Sequence, residues 1–422
     1  MMMIARDSSP LPLEEDFSIK QMISGLPEPS IDVMNGIGTL PPIKTIIKDV
    51  LQGISHLHDL NIVHRDLKPQ NVLIDPNGRA RISDMGLAKK LDGRSMSFSS
   101  NVKGSWGWQA PEVLSGKRGS DRVDIFSIGC LVFYLLTDGL HPFGEALERE
   151  LNIRDHRPVG LDRLSSSSSS SSKRSHSSSS SSSASAWPRQ PRNGGSTTTK
   201  PRNKEGPSGP WVRGGGNGGK ERKTEGEEKE KTKFITPEAE DLIRSLIDCE
   251  PQKRPSAVEA QHHPYFWGAR ECLTFLRDAS DRLEIEPADH PIVLDFESKF
   301  AIVCGGQHAN WFRDLIDDPL KKELSVGRFR KYNGQTLRDL LRLVRNKAHH
   351  FRDLPDDVRS LFQNDIPDGF LRYFSSRFPR LLIETYRVIR RHCRHEPTFG
   401  GYFEEDALPS KPSPSSSSSS SS

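Results

Sequence analysis

The feature that most limits how this 422-residue chain can fold is a break in its composition. From Ser165 to about Lys233 the sequence runs through serine tracts, glycine clusters and a mixed lysine and glutamate stretch, with few apolar residues. A segment of that kind buries too little apolar surface to offset the entropy lost on ordering, so 165–233 reads as a disordered insertion. The serine-rich tail at 405–422 reads the same way. Folding is thereby confined to two blocks, one on each side of the insertion, and each can bury a core of ordinary size.

The first block opens with PIKTIIKDVLQGISHLHDL, in which Ile43, Ile46, Ile47, Val50, Ile54 and Leu57 recur at steps of three and four. That spacing predicts a helix with one stripe facing a core. Strand-like NVLI and RARIS follow, separated by the hairpin-type turn Pro76-Asn77-Gly78. A second apolar helix is predicted from about Val123 to Thr137, stopping before Asp138-Gly139 as a glycine C-cap would stop it. The second block restarts at Thr236-Pro237-Glu238, a helix start with proline in first position, and continues through ARECLTFLRDASDRLE to about Phe403. The fold class expected is therefore mainly α, with no internal repeat.

The net charge of +4 is too small to name a partner by itself. Cys130, Cys249, Cys272, Cys304 and Cys393 are scattered, without a CxxC pair or zinc-type spacing, which favours reduced thiols in structural positions and a cytosolic setting. No apolar run approaches the roughly 20 residues a membrane helix requires, and MMMIARDSSPLPLEEDF lacks the charged-then-apolar order of a signal peptide. No membrane contact is expected from this chain itself.

Chemistry concentrates first in HRDLKPQN. His64-Arg65-Asp66 is followed by Lys68 and, five residues after the aspartate, by Asn71; Ser83-Asp84-Met85-Gly86 comes after a turn and Ala110-Pro111-Glu112 after that. Several spacings agree at once, and the ordered series resembles the catalytic, metal-binding and substrate loops of a eukaryotic protein kinase C-terminal lobe. The resemblance implies that Asp66 accepts the proton of the acceptor hydroxyl, that Lys68 neutralises phosphate, and that Asn71 and Asp84 hold Mg2+ against the phosphates of ATP. Asp124 and Arg254 fit the bracing positions of that lobe, Arg254 pairing with Glu112. Met85 replaces the usual phenylalanine, an apolar exchange at a residue expected only to pack.

Upstream, the same family needs a glycine-rich strand-turn-strand, a strand lysine and a helix glutamate. Only about forty residues precede Pro42, and Gly36-Ile37-Gly38 lacks the third glycine and the flanking strands. The expectation is a kinase module without its N-lobe, using ATP and Mg2+ only if competent.

The second chemical stretch is RNKAHHF, Arg345 to Phe351. If 336–350 is helical, Leu337, Leu340, Leu341, Val344 and Ala348 cluster on one face, while Asn346 and His350, four apart, share the opposite face with Arg342. Between Ser325 and Asp353 stand eight Lys or Arg against two Asp, an excess suited to a polyanion such as RNA. Cleaving RNA without a metal requires a base for the 2′-hydroxyl, an acid for the leaving 5′-oxygen and cations for the phosphorane charge. Tyr332, Arg345, Asn346 and His350 supply those functions, and no metal-ligand cluster accompanies them, so no cofactor is expected for this part.

The run from about Cys272 to Phe403, with RKYNGQTLRDLLRLVRNKAHHFRDLP and DGFLRYFSSRFPRLL, closely resembles the helical endoribonuclease extension of the inositol-requiring kinase/endoribonucleases, the endoplasmic-reticulum unfolded-protein sensors. The resemblance implies that Tyr332, Arg345, Asn346 and His350 are the nuclease residues, with Lys347 beside them, and that the chain acts in the unfolded protein response by cleaving stem-loop RNA for splicing or decay. It also implies a homodimer or higher oligomer with paired kinase lobes, phosphorylation among Ser95, Ser97, Ser99 and Ser100, and residence on the cytosolic face of the endoplasmic reticulum. The lumenal sensor and membrane span of that family are not in this sequence, so a soluble form, a fragment or an incomplete gene model is expected. The domains expected are a short segment at 1–40, a kinase C-lobe at 41–164 and 234–268 around the insertion, and an endoribonuclease domain at 269–404. Two other readings stand beside this one: a kinase whose extension only scaffolds, and a catalytically silent regulator that dimerises with full-length relatives.

Overall fold

A computed structural model describes residues 42–91, 104–170, 235–325 and 331–403, with side chains described outside 165–170. Helix α1 (Ile43–Asp59) begins after Pro42, where a missing N–H costs nothing, and buries Ile47, Val50, Leu51 and Ile54. Ile43, placed by its spacing in the same stripe, is instead 39% exposed because it lies a full turn ahead of the first buried position. Strand β1 (Ile62–Val63) pairs antiparallel with β4 (Lys89–Lys90), and β2 (Val72–Ile74) pairs antiparallel with β3 (Ala80–Ile82). The β2–β3 turn closes because the Asp75 carboxylate accepts from the backbone N–H groups of Asn77 and Arg79 at 2.9 and 3.0 Å.

After the short α2 (Pro111–Leu114) comes α3 (Arg122–Leu136), whose residues Val123 to Phe133 are all buried, so it is the central helix of the first core. Helix α1 packs on it from one side and α6 (Pro237–Leu246) from another. The approach to α6 needs Gly129: a Cβ there would stand 2.5 Å from Ile247 Cγ2 and 2.8 Å from Leu246 Cβ. Between α3 and α6 lie α4 (Arg149–Arg154) and α5 (Val159–Ser170). Helix α5 is anchored by the buried Leu161 and carries its turns on through the first serines, so residues 165–170, expected to be disordered, are helical. The rest of the predicted insertion, the N-terminal segment, Ser95, Ser97, Ser99, Ser100 and the C-terminal tail lie outside the described residues.

Helix α6 starts where the sequence places it: the Thr236 hydroxyl accepts from the Ala239 N–H at 3.2 Å, ahead of Pro237. Helix α7 (Ala257–Gln261) is closed by a reciprocal capping box between Ser256 and Glu259. From Trp267 onward a second core forms, built from α8 (Ala269–Glu284), α9 (Pro291–Glu297), α10 (Phe300–Cys304), α11 (Trp311–Asp314), α12 (Asp318–Ser325), α13 (Leu337–His349), α14 (Asp356–Leu361), α15 (Asp368–Arg377) and α16 (Leu381–Cys393). Helix α13 lies along α8, and α16 packs on both α8 and α9. Leu340, Leu341 and Val344 of α13 are completely buried, so truncating either leucine to alanine would cost about 2–5 kcal/mol.

The two cores meet where α6 and α7 face α16 and the residue that precedes it. Arg380 donates to Glu240 at 2.8 Å, Arg387 Nε to Asp241 at 2.7 Å and Arg390 to Glu259 at 3.3 Å. No helix among the described residues is long and apolar enough to cross a membrane.

Candidate functional sites

The first site is assembled by loops leaving short strands. Asp124, 1% exposed near the start of α3, accepts the backbone N–H groups of His64 and Arg65 at 2.8 Å each, which fixes the chain entering the catalytic loop. The His64 ring spans to the next loop: Nε2 lies 3.0 Å from the Ser83 carbonyl, while Nδ1 accepts the Asp66 N–H at 3.3 Å. The tautomer with its hydrogen on Nε2 satisfies both contacts. Ser83 in turn donates its N–H to the Asn71 carbonyl at 2.9 Å, so the loops carrying Asp66, Asn71 and Asp84 are stitched together.

Within this frame Asp66 is buried and receives the Asn71 amide at 3.3 Å and the Ser105 N–H at 2.9 Å, with Lys68 Nζ 3.4 Å away. Burial would raise its pKa, yet Ser105 and Lys68 together hold it below the usual carboxylate value. Asp66 is thus held in its charged form. Asn71 donates through Nδ2 to the Asp66 backbone carbonyl at 2.7 Å, so Oδ1 is the atom that could ligate a metal. Asp84 is exposed in the left-handed region (φ 59°), with one carboxylate oxygen accepting from Gly86 N–H at 3.2 Å. An amide oxygen and a carboxylate are hard donors of the type Mg2+ takes beside phosphate oxygens, so the pair fits that ion. Met85, expected to pack, is 44% exposed. Arg254 grips Glu112 through two bonds of 2.7 and 2.8 Å with both side chains buried, as the sequence implies.

Sequence reasoning passed over Ser105. Its hydroxyl accepts from Lys68 Nζ at 2.7 Å while its N–H caps Asp66, so it ties the substrate loop to the catalytic loop. Its place five residues ahead of Ala110-Pro111-Glu112 was the available signal.

The second site lies at the C-terminal end of α13. Asn346 Nδ2 donates to the Tyr332 hydroxyl at 3.1 Å, and Asn346 Oδ1 accepts from Arg345 Nε at 3.3 Å, giving the amide one consistent orientation. Arg345 also pairs with Asp281 of α8 at 2.7 Å. His350 caps the helix and is exposed, with Nδ1 3.3 Å from the Asp353 carboxylate and its ring edge-on to His349. Tyr332, Arg345 and Asn346 therefore form one bonded set, and His350 stands one turn further along the same helix.

Two other residues of the stretch behave differently from expectation. Arg342, read as part of the exposed polar face, is 4% exposed because the segment 331–336 covers that side of α13 and Asp339 meets the guanidinium at 2.9 Å. Lys347 is also buried and bonds Glu323 of α12 at 2.7 Å. The cationic excess is thus partly spent inside the fold: Arg338 donates to the Glu286 carbonyl, and Arg328 and Arg330 lie outside the described residues. Lys331 and Arg352 remain exposed.

The class follows from comparison with known proteins. Residues 30–266 match the protein kinase domain family, and residues 272–403 match the family described as Ribonuclease 2-5A. The chain is 38% identical over 365 residues to the serine/threonine-protein kinase/endoribonuclease IRE1 of Oryza sativa subsp. japonica, covering 85% of this chain and 32% of that protein. It is 36% identical over 387 residues to the serine/threonine-protein kinase/endoribonuclease IRE2 of Homo sapiens, covering 89% and 34% respectively. A third relative, the sensor for unfolded proteins in the ER ire1 of Schizosaccharomyces pombe, is 31% identical over 398 residues, covering 85% and 30%. This chain belongs to the kinase/endoribonuclease family that these proteins represent. It spans about a third of the length of those curated relatives.

Proposed function

We propose that this chain is an endoribonuclease of the unfolded protein response that cleaves stem-loop RNA by acid–base chemistry at the end of α13. The observation that supports this best is the bonded set of Tyr332, Asn346 and Arg345 with His350 one turn away. In this reading the RNA 2′-hydroxyl attacks the neighbouring phosphorus and loses its proton to water by way of the Tyr332 hydroxyl, which takes that proton and passes on its own. The 5′-oxygen departs with a proton from His350, and Arg345 and Asn346 hold the phosphate as charge builds on it. The bonds balance to a 2′,3′-cyclic phosphate and a free 5′-hydroxyl. None of the four side chains needs a metal for these roles. Incubating the chain with a stem-loop RNA in EDTA should yield fragments ending in 2′,3′-cyclic phosphate. Linear 3′-phosphate or 3′-hydroxyl ends made at once, or cleavage that stops on chelation, would refute it.

The kinase module is proposed to phosphorylate serine or threonine hydroxyls when nucleotide is held, with Asp66 accepting the hydroxyl proton and Lys68 neutralising phosphate. Asn71 and Asp84 would hold the magnesium, which supplies charge neutralisation on the phosphates. Residues 1–41 contain no three-glycine loop, so in this chain the phosphates are proposed to lack cover and ATP to bind weakly. The setting proposed, by analogy with the fission-yeast sensor for unfolded proteins in the ER, is the endoplasmic reticulum, with this chain on its cytosolic side and acting as a homodimer or with longer relatives.

A further inference from the structure

Tyr332 sits in an irregular stretch between α12 and α13, where regular backbone bonding does not fix it, and yet its hydroxyl meets Asn346 at 3.1 Å. One arginine and one aspartate take a direct part in its placement. The Arg342 guanidinium stacks over the tyrosine ring, 4.7 Å from its centre. Arg342 Nη2 donates to the Lys331 carbonyl at 3.1 Å and pairs with Asp339 at 2.9 Å, one turn earlier on α13. The second Asp339 oxygen accepts the Asn333 backbone N–H at 2.6 Å. The carbonyl before the tyrosine, its ring and the N–H after it are therefore all held by this pair.

Two further contacts brace the same stretch from α11. Trp311 donates its backbone N–H to the Gly334 carbonyl and its indole N–H to the Thr336 carbonyl, both at 2.9 Å. Gly334 cannot carry a side chain there, since a Cβ would stand 2.0 Å from Asn310 Oδ1. Arg342 and Asp339 are 4% and 9% exposed, and a buried ion pair adds little net stability over apolar residues of similar volume. What the pair does add is direction: an apolar replacement could fill the space but could not hold a carbonyl, an N–H and a ring face together.

We propose that Arg342 and Asp339 are positioning residues that aim the Tyr332 hydroxyl for RNA cleavage without touching the RNA. This rests on the reading of α13 as the cleavage site. A displacement of about 1 Å in an acid–base group can cost on the order of 100-fold in rate, so Arg342→Met should lower kcat by about 10- to 100-fold and leave KM within about twofold. Arg342→Lys keeps the charge but not the planar fork, and should recover only part of that loss.

The deciding experiment is a double-mutant cycle on the full chain with a labelled stem-loop RNA. In a Tyr332→Phe background, adding Arg342→Met should cost less than about threefold, because the group being aimed is already gone. An equal fold-loss in both backgrounds, or a loss that appears in KM, would overturn the proposal and leave Arg342 a merely structural residue. If Arg342→Met does not fold, Asp339→Asn carries the same comparison, since it keeps the shape and removes the ion pair. A Tyr332→Phe chain that cleaves like the parent refutes instead the reading of the site itself. The two failures are told apart by the single tyrosine variant.

Discussion

Two neighbours in RNKAHHF should respond to substitution in opposite ways. His350 has a side chain 62% exposed and pairs with Asp353, itself 77% exposed, at 3.3 Å. An exposed pair of that kind contributes roughly 0–1 kcal/mol, so His350→Ala should shift unfolding stability by less than about 0.5 kcal/mol. Its rate should nevertheless fall by about 10²–10⁴, the usual cost of removing a proton donor or acceptor. Lys347 has a side chain 3% exposed, bonded at 2.7 Å to Glu323, which is 24% exposed. Breaking a fully buried pair costs about 3–5 kcal/mol; because Glu323 keeps some access to water, Lys347→Ala should cost roughly 2–3 kcal/mol. Denaturant unfolding of the chain and single-turnover cleavage of a labelled stem-loop RNA measure the two quantities on the same samples. If His350→Ala retains more than a tenth of the parent rate, or unfolds as early as Lys347→Ala, the assignment of roles along this helix is wrong.

Asp295 of α9 is held by Arg391 and His392 of α16 and by Lys299; burial opposes its charge, but these three partners prevail and bring its pKa to about 2. Because the folded value lies below the unfolded one, this stabilisation is present above about pH 4 and disappears as pH falls toward 2; Asp295→Asn should flatten that part of the unfolding free energy against pH, measured by urea melts, by about 1–2 kcal/mol, and an unchanged slope would count against it. Arg254→Met should destabilise the first core by about 3–5 kcal/mol by stranding buried Glu112, and adding Glu112→Leu should recover most of it; a double variant as unstable as the single one in urea melts would contradict this. Titration calorimetry with Mg2+ and ATP should give a dissociation constant weaker than about 0.1 mM for this chain, and low-micromolar binding would show that the phosphates are covered after all.

Those predictions separate what the sequence could show from what it could not. Spacing located α1, α3 and α13, and the Thr-Pro-Glu start of α6, because apolar period and capping chemistry are local properties. The Arg254–Glu112 pair was legible through resemblance although 142 residues separate its members. Lys347 was not, since its partner Glu323 comes from another helix and no local pattern announces the meeting. Counting charges between Ser325 and Asp353 treated every cation as available to RNA, whereas burial removes any that finds an acid inside the fold.

Arg342 did carry a local warning. Asp339 lies three residues earlier, the spacing at which an aspartate and an arginine meet on one helix. What the pattern could not supply was the segment 331–336 folding over that face, which turns a surface pair into an enclosed one. Position on a helical wheel shows which residues share a side; whether that side meets water depends on chain that the helix itself does not contain. At α13 that outside chain is the one bearing Tyr332, so the contact that takes Arg342 out of solvent also places the tyrosine beside Asn346.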